Sequence, residues 1–294
     1  CVLVWLATGG AWAVGEPGTA FEELAVPVRK AGLMGTLVGP GPTQGSERLY
    51  FNFRQEGGKL FLVSVDPDTG ESRRFDSPAG TGAWGFVVGP DGRIYLGTHE
   101  GPDPQDSGRI LVFDPKDPDR QIRVVGRPAE SETYLWMFTV GRDGLIYGCT
   151  YPGAKLVSYD PKTDRMADLG VMDDSQKYTR SICTGPDGRI YLGVGFGRAN
   201  VVVYDPATGE HMSILPDAYR SHADQTVATV YAGVDGNVYV QATKMLDPNA
   251  TPPTHEAVTL VVKGDLIEET TEPAAAESPR RLKDGRTLSN ATLD

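Results

Sequence analysis

The sequence predicts an all-β chain, a β-propeller of four-stranded blades. Three observations predict it. A tight turn, Gly-x-Asp-Gly, recurs at Gly89, Gly141, Gly185 and Gly233, in steps of 52, 44 and 48 residues. A second marker, Asp-Pro, recurs between these turns at Asp66, Asp114, Asp160 and Asp205, in steps of 48, 46 and 45. The runs between markers are short and rich in Val, Ile and Tyr, and none sustains a helical period. Two interleaved markers in one phase, with about four strands per unit, are the signature of propeller blades. A β-sandwich has no fixed sequence period, and solenoid turns are shorter.

Residues 1–13, CVLVWLATGGAWA, carry no charge and end in Ala11-Trp12-Ala13, a small-x-small cleavage pattern. They read as part of a signal peptide, too short for a membrane span. An extracytoplasmic chain, secreted or periplasmic, is therefore expected. Residues 14–32 read as a lead-in and 33–270 as five blades, near 33–78, 82–126, 134–170, 178–216 and 227–270. Gly39-Pro40-Gly41-Pro42 keeps the turn phase, 50 residues before Gly89.

The second unit shows how each blade is built. Gly85 to Val88 is an apolar strand, and Gly89-Pro90-Asp91-Gly92 is a turn whose Asp-Gly tolerates positive φ. Arg93 to His99 returns, Gly108 to Asp114 makes the third strand, and Gln121 to Val125 the fourth. The fifth unit carries an insertion, LDPNATPPTHEA, and Lys263-Gly264-Asp265 replaces its Asp-Pro. Residues 271–294 read as a linker and the start of a further repeat, RLKDGRTLSNATLD. Propellers close as rings of four to eight blades, so six or seven blades are expected in the full-length protein.

The charge, 28 − 39 = −11, comes without a Lys/Arg cluster, which argues against nucleic acid as a partner. No membrane insertion is expected. Cys149 and Cys183 fall at different heights in neighbouring blades and read as buried thiols. Asp66, Asp68, Asp160, Asp164 and Asp205 read as hairpin-turn residues rather than calcium ligands. No metal site and no cofactor is expected. There is no P-loop, GxGxxG, HExxH, CxxC or GxSxG motif.

The units VVGPDGRIYLGTH…GRILVFDP and CTGPDGRIYLGVG…NVVVYDPATGE resemble repeats of the streptogramin lyase (virginiamycin B lyase)-like, NHL and YVTN group of propellers. The resemblance covers roughly residues 33–240 and lies in turn and core positions. It implies the fold. That family's catalytic His and Glu sit in late blades, with no match here, so no catalytic residue is carried over.

Residues that break the repeat carry the functional signal. Five residues before each turn glycine stand Met34, Trp84, Trp136, Arg180 and Ala228; ten residues after stand His99, Tyr151, Gly195 and Thr243. Equal phase places all of them at one mouth of the channel. The inter-blade loops add Tyr134, Lys177, Tyr178, Tyr219, Arg220 and His222. Aromatic faces stack on sugars or other flat groups, and Arg pairs with carboxylates. Trp84, Trp136, Tyr134, Tyr178, Arg180 and His222 are thus candidate ligand-binding residues. The bland alternative has both tryptophans wedged between blades. The preferred reading is a binding propeller for a small molecule or saccharide, including anionic ones, with a protein partner also open. The alternative is a lyase, in which Arg180 neutralises a carboxylate while His99 and Tyr151 move a proton. A metal-dependent lactonase would want carboxylates and Asn in the channel, and the aligned positions carry none.

Overall fold

The structure, a computed structural model, describes residues 31–288 except 56, 100–107, 118, 120, 221–225, 248, 252–253, 265 and 278–279. It is all-β apart from a 3-10 turn at Asp217–Tyr219. The first blade comprises β1 (Ala31–Pro40), β2 (Glu47–Gln55), β3 (Phe61–Val65) and β4 (Ser72–Asp76), so it begins within the expected lead-in. The second comprises β5 (Gly82–Val88), β6 (Ile94–His99), β7 (Ile110–Phe113) and β8 (Arg123–Gly126). The third comprises β9 (Tyr134–Val140), β10 (Ile146–Tyr151), β11 (Lys155–Asp160) and β12 (Arg165–Val171). The fourth comprises β13 (Tyr178–Thr184), β14 (Ile190–Gly197), β15 (Asn200–Tyr204) and β16 (His211–Ser213). After β17 (Thr226–Val227) the fifth comprises β18 (Thr229–Ala232), β19 (Val238–Asp247), β20 (Thr254–Lys263) and β21 (Leu266–Glu269). Each blade is an antiparallel meander in chain order. The inserted LDPNATPPTHEA segment lengthens the β19–β20 hairpin, whose pairing runs on to Met245↔His255 and Asp247↔Thr254.

The repeated turn explains its own sequence. In the second blade the Gly89 amide donates to Arg93 O, the Gly92 amide to Gly89 O, and Asp91 Oδ1 accepts from the Arg93 amide. Gly92, Gly144, Gly188 and Gly236 all have φ between 77° and 85°, a region glycine enters without strain. The other carboxylate oxygen of the turn Asp accepts from a buried tyrosine four residues on: Asp91–Tyr95, Asp143–Tyr147, Asp187–Tyr191 and Asp235–Tyr239, at 2.6–2.8 Å. Of the Asp residues that resembled calcium ligands, Asp66, Asp160 and Asp205 accept turn amides in the same way, Asp68 takes the Arg286 guanidinium and Asp164 accepts the Tyr159 hydroxyl. Among the described residues, no group of three His, Cys, Asp or Glu could hold a metal ion.

Successive blades pack apolar layers against each other. Leu37, Tyr50, Leu60, Leu62 and Phe75 of the first blade meet Ile94, Leu96, Leu111 and Phe113 of the second. Comparable layers join the second to the third, the third to the fourth, and the fourth to the fifth. Cys149 and Cys183 are buried free thiols. Burial pushes the Cys183 thiol up to about 12. Residues 280–288 repeat the blade turn, with Leu282 N donating to Arg286 O and Gly285 N to Leu282 O. This turn docks on the first blade: Leu282 and Leu288 join Leu49 and Phe51, and Arg286 reaches Pro67 O and the Asp68 carboxylate.

The buried tyrosines give the fold an alkaline limit. Burial, then the bond to the turn Asp, raises the phenols of Tyr95, Tyr147 and Tyr191 far above the ordinary value, and that of Tyr159 to about 12. A raised native pKa means that the unfolded chain loses these protons first. Stability is therefore intact below about pH 10 and falls as pH rises through the native values. Each such phenol contributes about 1.4 kcal/mol per pH unit in that interval. Tyrosine absorbance should show these phenols titrating together with unfolding; a smooth titration near pH 10 with the fold intact would contradict the burial.

Candidate functional site

In each of the first four blades the innermost strand carries a β-bulge or register shift near the upper end. Leu33 pairs with Phe53 and Gly35 with Asn52, leaving Met34 as the extra residue. Ala83 pairs with Thr98 and Gly85 with Gly97, leaving Trp84. Thr179 pairs with Val194 and Ser181 with Gly193, leaving Arg180. In the third blade Trp136 and Met137 together span the step between Leu135↔Thr150 and Phe138↔Gly148. A bulge re-aims one side chain out of the alternation that governs the rest of the strand. Trp84 and Arg180 are accordingly exposed while their neighbours Ala83 and Thr179 are buried.

A second row comes from strand ends. His99 ends β6 and pairs with Tyr134, the first residue of β9; Tyr134 also pairs with Tyr151, the last of β10. Tyr134 therefore sits between strands of two blades. Tyr178 opens β13, so Tyr134 and Tyr178 are strand residues rather than loop residues. The rings make a continuous row. His99 to Tyr134 is 5.5 Å, Tyr134 to Tyr151 5.2 Å, Tyr151 to Tyr178 4.3 Å and Tyr178 to Phe196 4.9 Å between centroids. The two tyrosine–tyrosine contacts are stacked, at 25° and 28°.

The bulge residues join this row from below. Trp84 and Trp136 lie 5.1 Å apart, and Trp136 is 5.4 Å from Tyr134 and 5.6 Å from Tyr178. The Arg180 guanidinium lies 5.8 Å from the Trp136 ring centre, within cation–π range. Among the described residues, no carboxylate pairs with Arg180. Its charge is felt by its neighbour: burial and the nearby tyrosines raise the Tyr178 phenol, and Arg180 opposes them. Trp136 is half-buried, packs on the layer between the third and fourth blades, and among the described residues its buried Nε1 has no hydrogen-bond partner.

No family model matches the chain, and no curated protein matches it in sequence. Solved structures match its shape. Streptogramin B lyase aligns over 88% of this chain and 94% of its own, at 12% identity and a TM-score of 0.53. A puromycin hydrolase aligns over 87% of this chain and 41% of its own, at 16% identity and 0.52. A puromycin-hydrolyzing peptidase of Mycobacterium tuberculosis aligns over 83% and 38%, at 16% identity and 0.50. The fold is that of a streptogramin-lyase-like β-propeller. At such identities the likeness is one of fold alone.

Within this propeller, seven of the eight residues singled out for the site stand in one contiguous cluster: Trp84, His99, Tyr134, Trp136, Tyr151, Tyr178 and Arg180. The eighth, His222, lies outside the described residues. Tyr219 and Arg220 are committed elsewhere. The Tyr219 hydroxyl donates to Glu269, and Arg220 Nε donates to Leu215 O. Lys177 is exposed.

Two residues of this surface escape the sequence alignment. Phe196, 46% exposed, extends the ring row; it falls in a register shift between Gly195 and Gly197, one step beyond the aligned position. Arg54, next to last in β2, pairs with Gly32, as His99 pairs with Gly82. It is the first-blade equivalent of His99. The first turn is longer than the others, so an offset of ten from Gly39 stops at Leu49.

Proposed function

We propose that this chain is an extracytoplasmic binding propeller whose aromatic surface takes an anionic saccharide. The observation that carries this reading is one surface: rings from three blades, with Arg180 lying over Trp136. Pyranose rings present apolar C–H faces to aromatic rings, and a guanidinium pairs a uronate carboxylate in bidentate fashion. Among the described residues, no helix is long and apolar enough to cross a membrane.

The lyase alternative receives less support. It needs His99, Tyr151 and Arg180 to reach one substrate position. Tyr134 stands between His99 and Tyr151, in ring contact with both. Thr81 Oγ1 lies 3.0 Å from His99 Nδ1 and 3.1 Å from the His99 carbonyl, which fixes the ring at the rim. Rows of rings at spacings near 5 Å suit a sliding or extended ligand better than a single reacting atom.

Calorimetric titration with oligogalacturonates tests the proposal. Arg180→Ala should weaken binding by about 1.5–3 kcal/mol, the worth of a charged hydrogen bond, and leave the melting temperature unchanged because the side chain is exposed. Absence of binding by the unaltered chain, or an Arg180→Ala variant that binds equally well, would refute it.

A further inference from the structure

A cavity of about 650 Å³ opens beside His99, between the first and second blades. That volume is in the range of small-molecule sites. Its floor is bare: Gly32 and Gly58 line it, and Gly82 lies under His99. A Cβ at Gly82 would collide with His99 Nε2 and lie 3.2 Å from Arg54 Cβ, so imidazole and arginine straddle one glycine. Arg54 runs along Gly32 in the same manner; a Cβ there would lie 3.0 Å from Nε.

The arginine and the amide on this cavity are donors. Arg54 is exposed, and among the described residues no carboxylate pairs with it. The neighbouring Arg74 is neutralised by Asp76 at 2.6 Å, and it also donates to Gln55 Oε1 at 3.4 Å. That bond orients the Gln55 amide and leaves its N–H groups as donors. The Thr81 hydroxyl and the His99 ring complete the lining. A positive side chain, amide donors and a hydroxyl around a glycine floor suit an anionic group attached to a polyol.

Position adds a second constraint. Arg54, His99 and Tyr151 occupy equivalent places in successive blades, and the ring row begins at His99. The surface thus has one arginine at its first-blade end and another, Arg180, in the fourth blade, with aromatic rings between. We propose that the Arg54 cavity is a second anion subsite of the same surface, and that the ligand is an acidic oligosaccharide long enough to place one carboxylate at Arg54 and another at Arg180. This rests on the binding reading above and specifies the ligand: a polyanion rather than a single uronic acid.

The test compares galacturonic acid, its short oligomers and the same oligomers with methyl-esterified carboxylates, by calorimetry on the full chain. Affinity should rise with length until both arginines are engaged, and esterification should remove the gain. Arg54→Gln, which keeps a polar side chain at the exposed position, should weaken the longer oligomers about tenfold or more and so remove most of the gain in affinity with length. Arg180→Ala combined with Arg54→Gln should reduce the longest oligomer to the affinity of the shortest. If oligomers bind, and Arg180→Ala weakens them while Arg54→Gln does not, the second subsite is wrong and the platform reading stands. If no acidic oligomer binds the unaltered chain, both are wrong.

Discussion

Gly193→Ala should lower the stability of the chain by about 2–4 kcal/mol, as overpacking combined with lost hydrogen bonds. Gly193 lies in the middle of β14, against the fifth blade. A Cβ there would fall inside contact distance of Ala228 O and Ser181 Oγ, and 2.9 Å from the Ala228 carbonyl carbon. Those atoms cannot step aside as a flexible side chain would. Ser181 Oγ accepts from the Val230 amide at 2.9 Å and donates to Ala228 O at 3.5 Å, stitching the fourth blade to the fifth. The added methyl must separate that stitch or bend β14. For a chain of this size, thermal unfolding should shift by about 2–4 °C per kcal/mol. Ser181→Ala removes the stitch without the clash and should cost about 1 kcal/mol. The order of the two melting temperatures is the check. A Gly193→Ala protein melting with the parent would show that the blades are not packed backbone to backbone at this point.

The blades are legible in the sequence because the contacts that define them are local. Asp91 binds an amide two residues away and a tyrosine four residues away, and Gly92 needs its positive φ whatever surrounds it. Each repeat must therefore spell the same turn. The docked turn at residues 280–288 shows this most directly: Asp284 binds the Arg286 amide just as Asp91 binds that of Arg93. The phase argument also gathers Trp84, Trp136 and Arg180, because a bulge at one height recurs from blade to blade.

What sequence phase cannot carry is a change in turn length or register. Arg54 lies beyond a longer first turn, and Phe196 beyond a one-residue shift, so both leave the aligned column although they stay on the same surface. Nor does the sequence distinguish a wedge from a binding face. Trp136 is both, since its ring packs on the core of the third and fourth blades while touching Trp84 and Arg180. Such a choice depends on the packing of several blades together, which no single repeat encodes.

Trp136→Ala should cause the largest loss of ligand binding of any single substitution, about 2–4 kcal/mol, the range of an aromatic hot spot. Trp136 is the hub of the surface, touching Trp84, Tyr134, Tyr178 and Arg180 at 5.1–5.8 Å. Removing the indole takes away a stacking face and the ring beneath Arg180, so the guanidinium loses its orientation as well. Part of the indole also belongs to the core, so Trp136→Ala lowers stability too and by itself would confuse the two effects. Trp136→Phe separates them. It keeps an aromatic ring against the core and should cost less than about 1.5 kcal/mol of stability, as a swap of similar shape does. It removes Nε1 and half of the stacking face, and should still weaken binding of acidic oligosaccharides by at least several-fold. Calorimetric titration alongside a thermal melt reads both quantities on each variant. Should Trp136→Phe melt lower yet bind as the parent does, the indole is a wedge between blades and the ligand lies elsewhere. Unchanged melting with weakened binding would place the ligand on the ring.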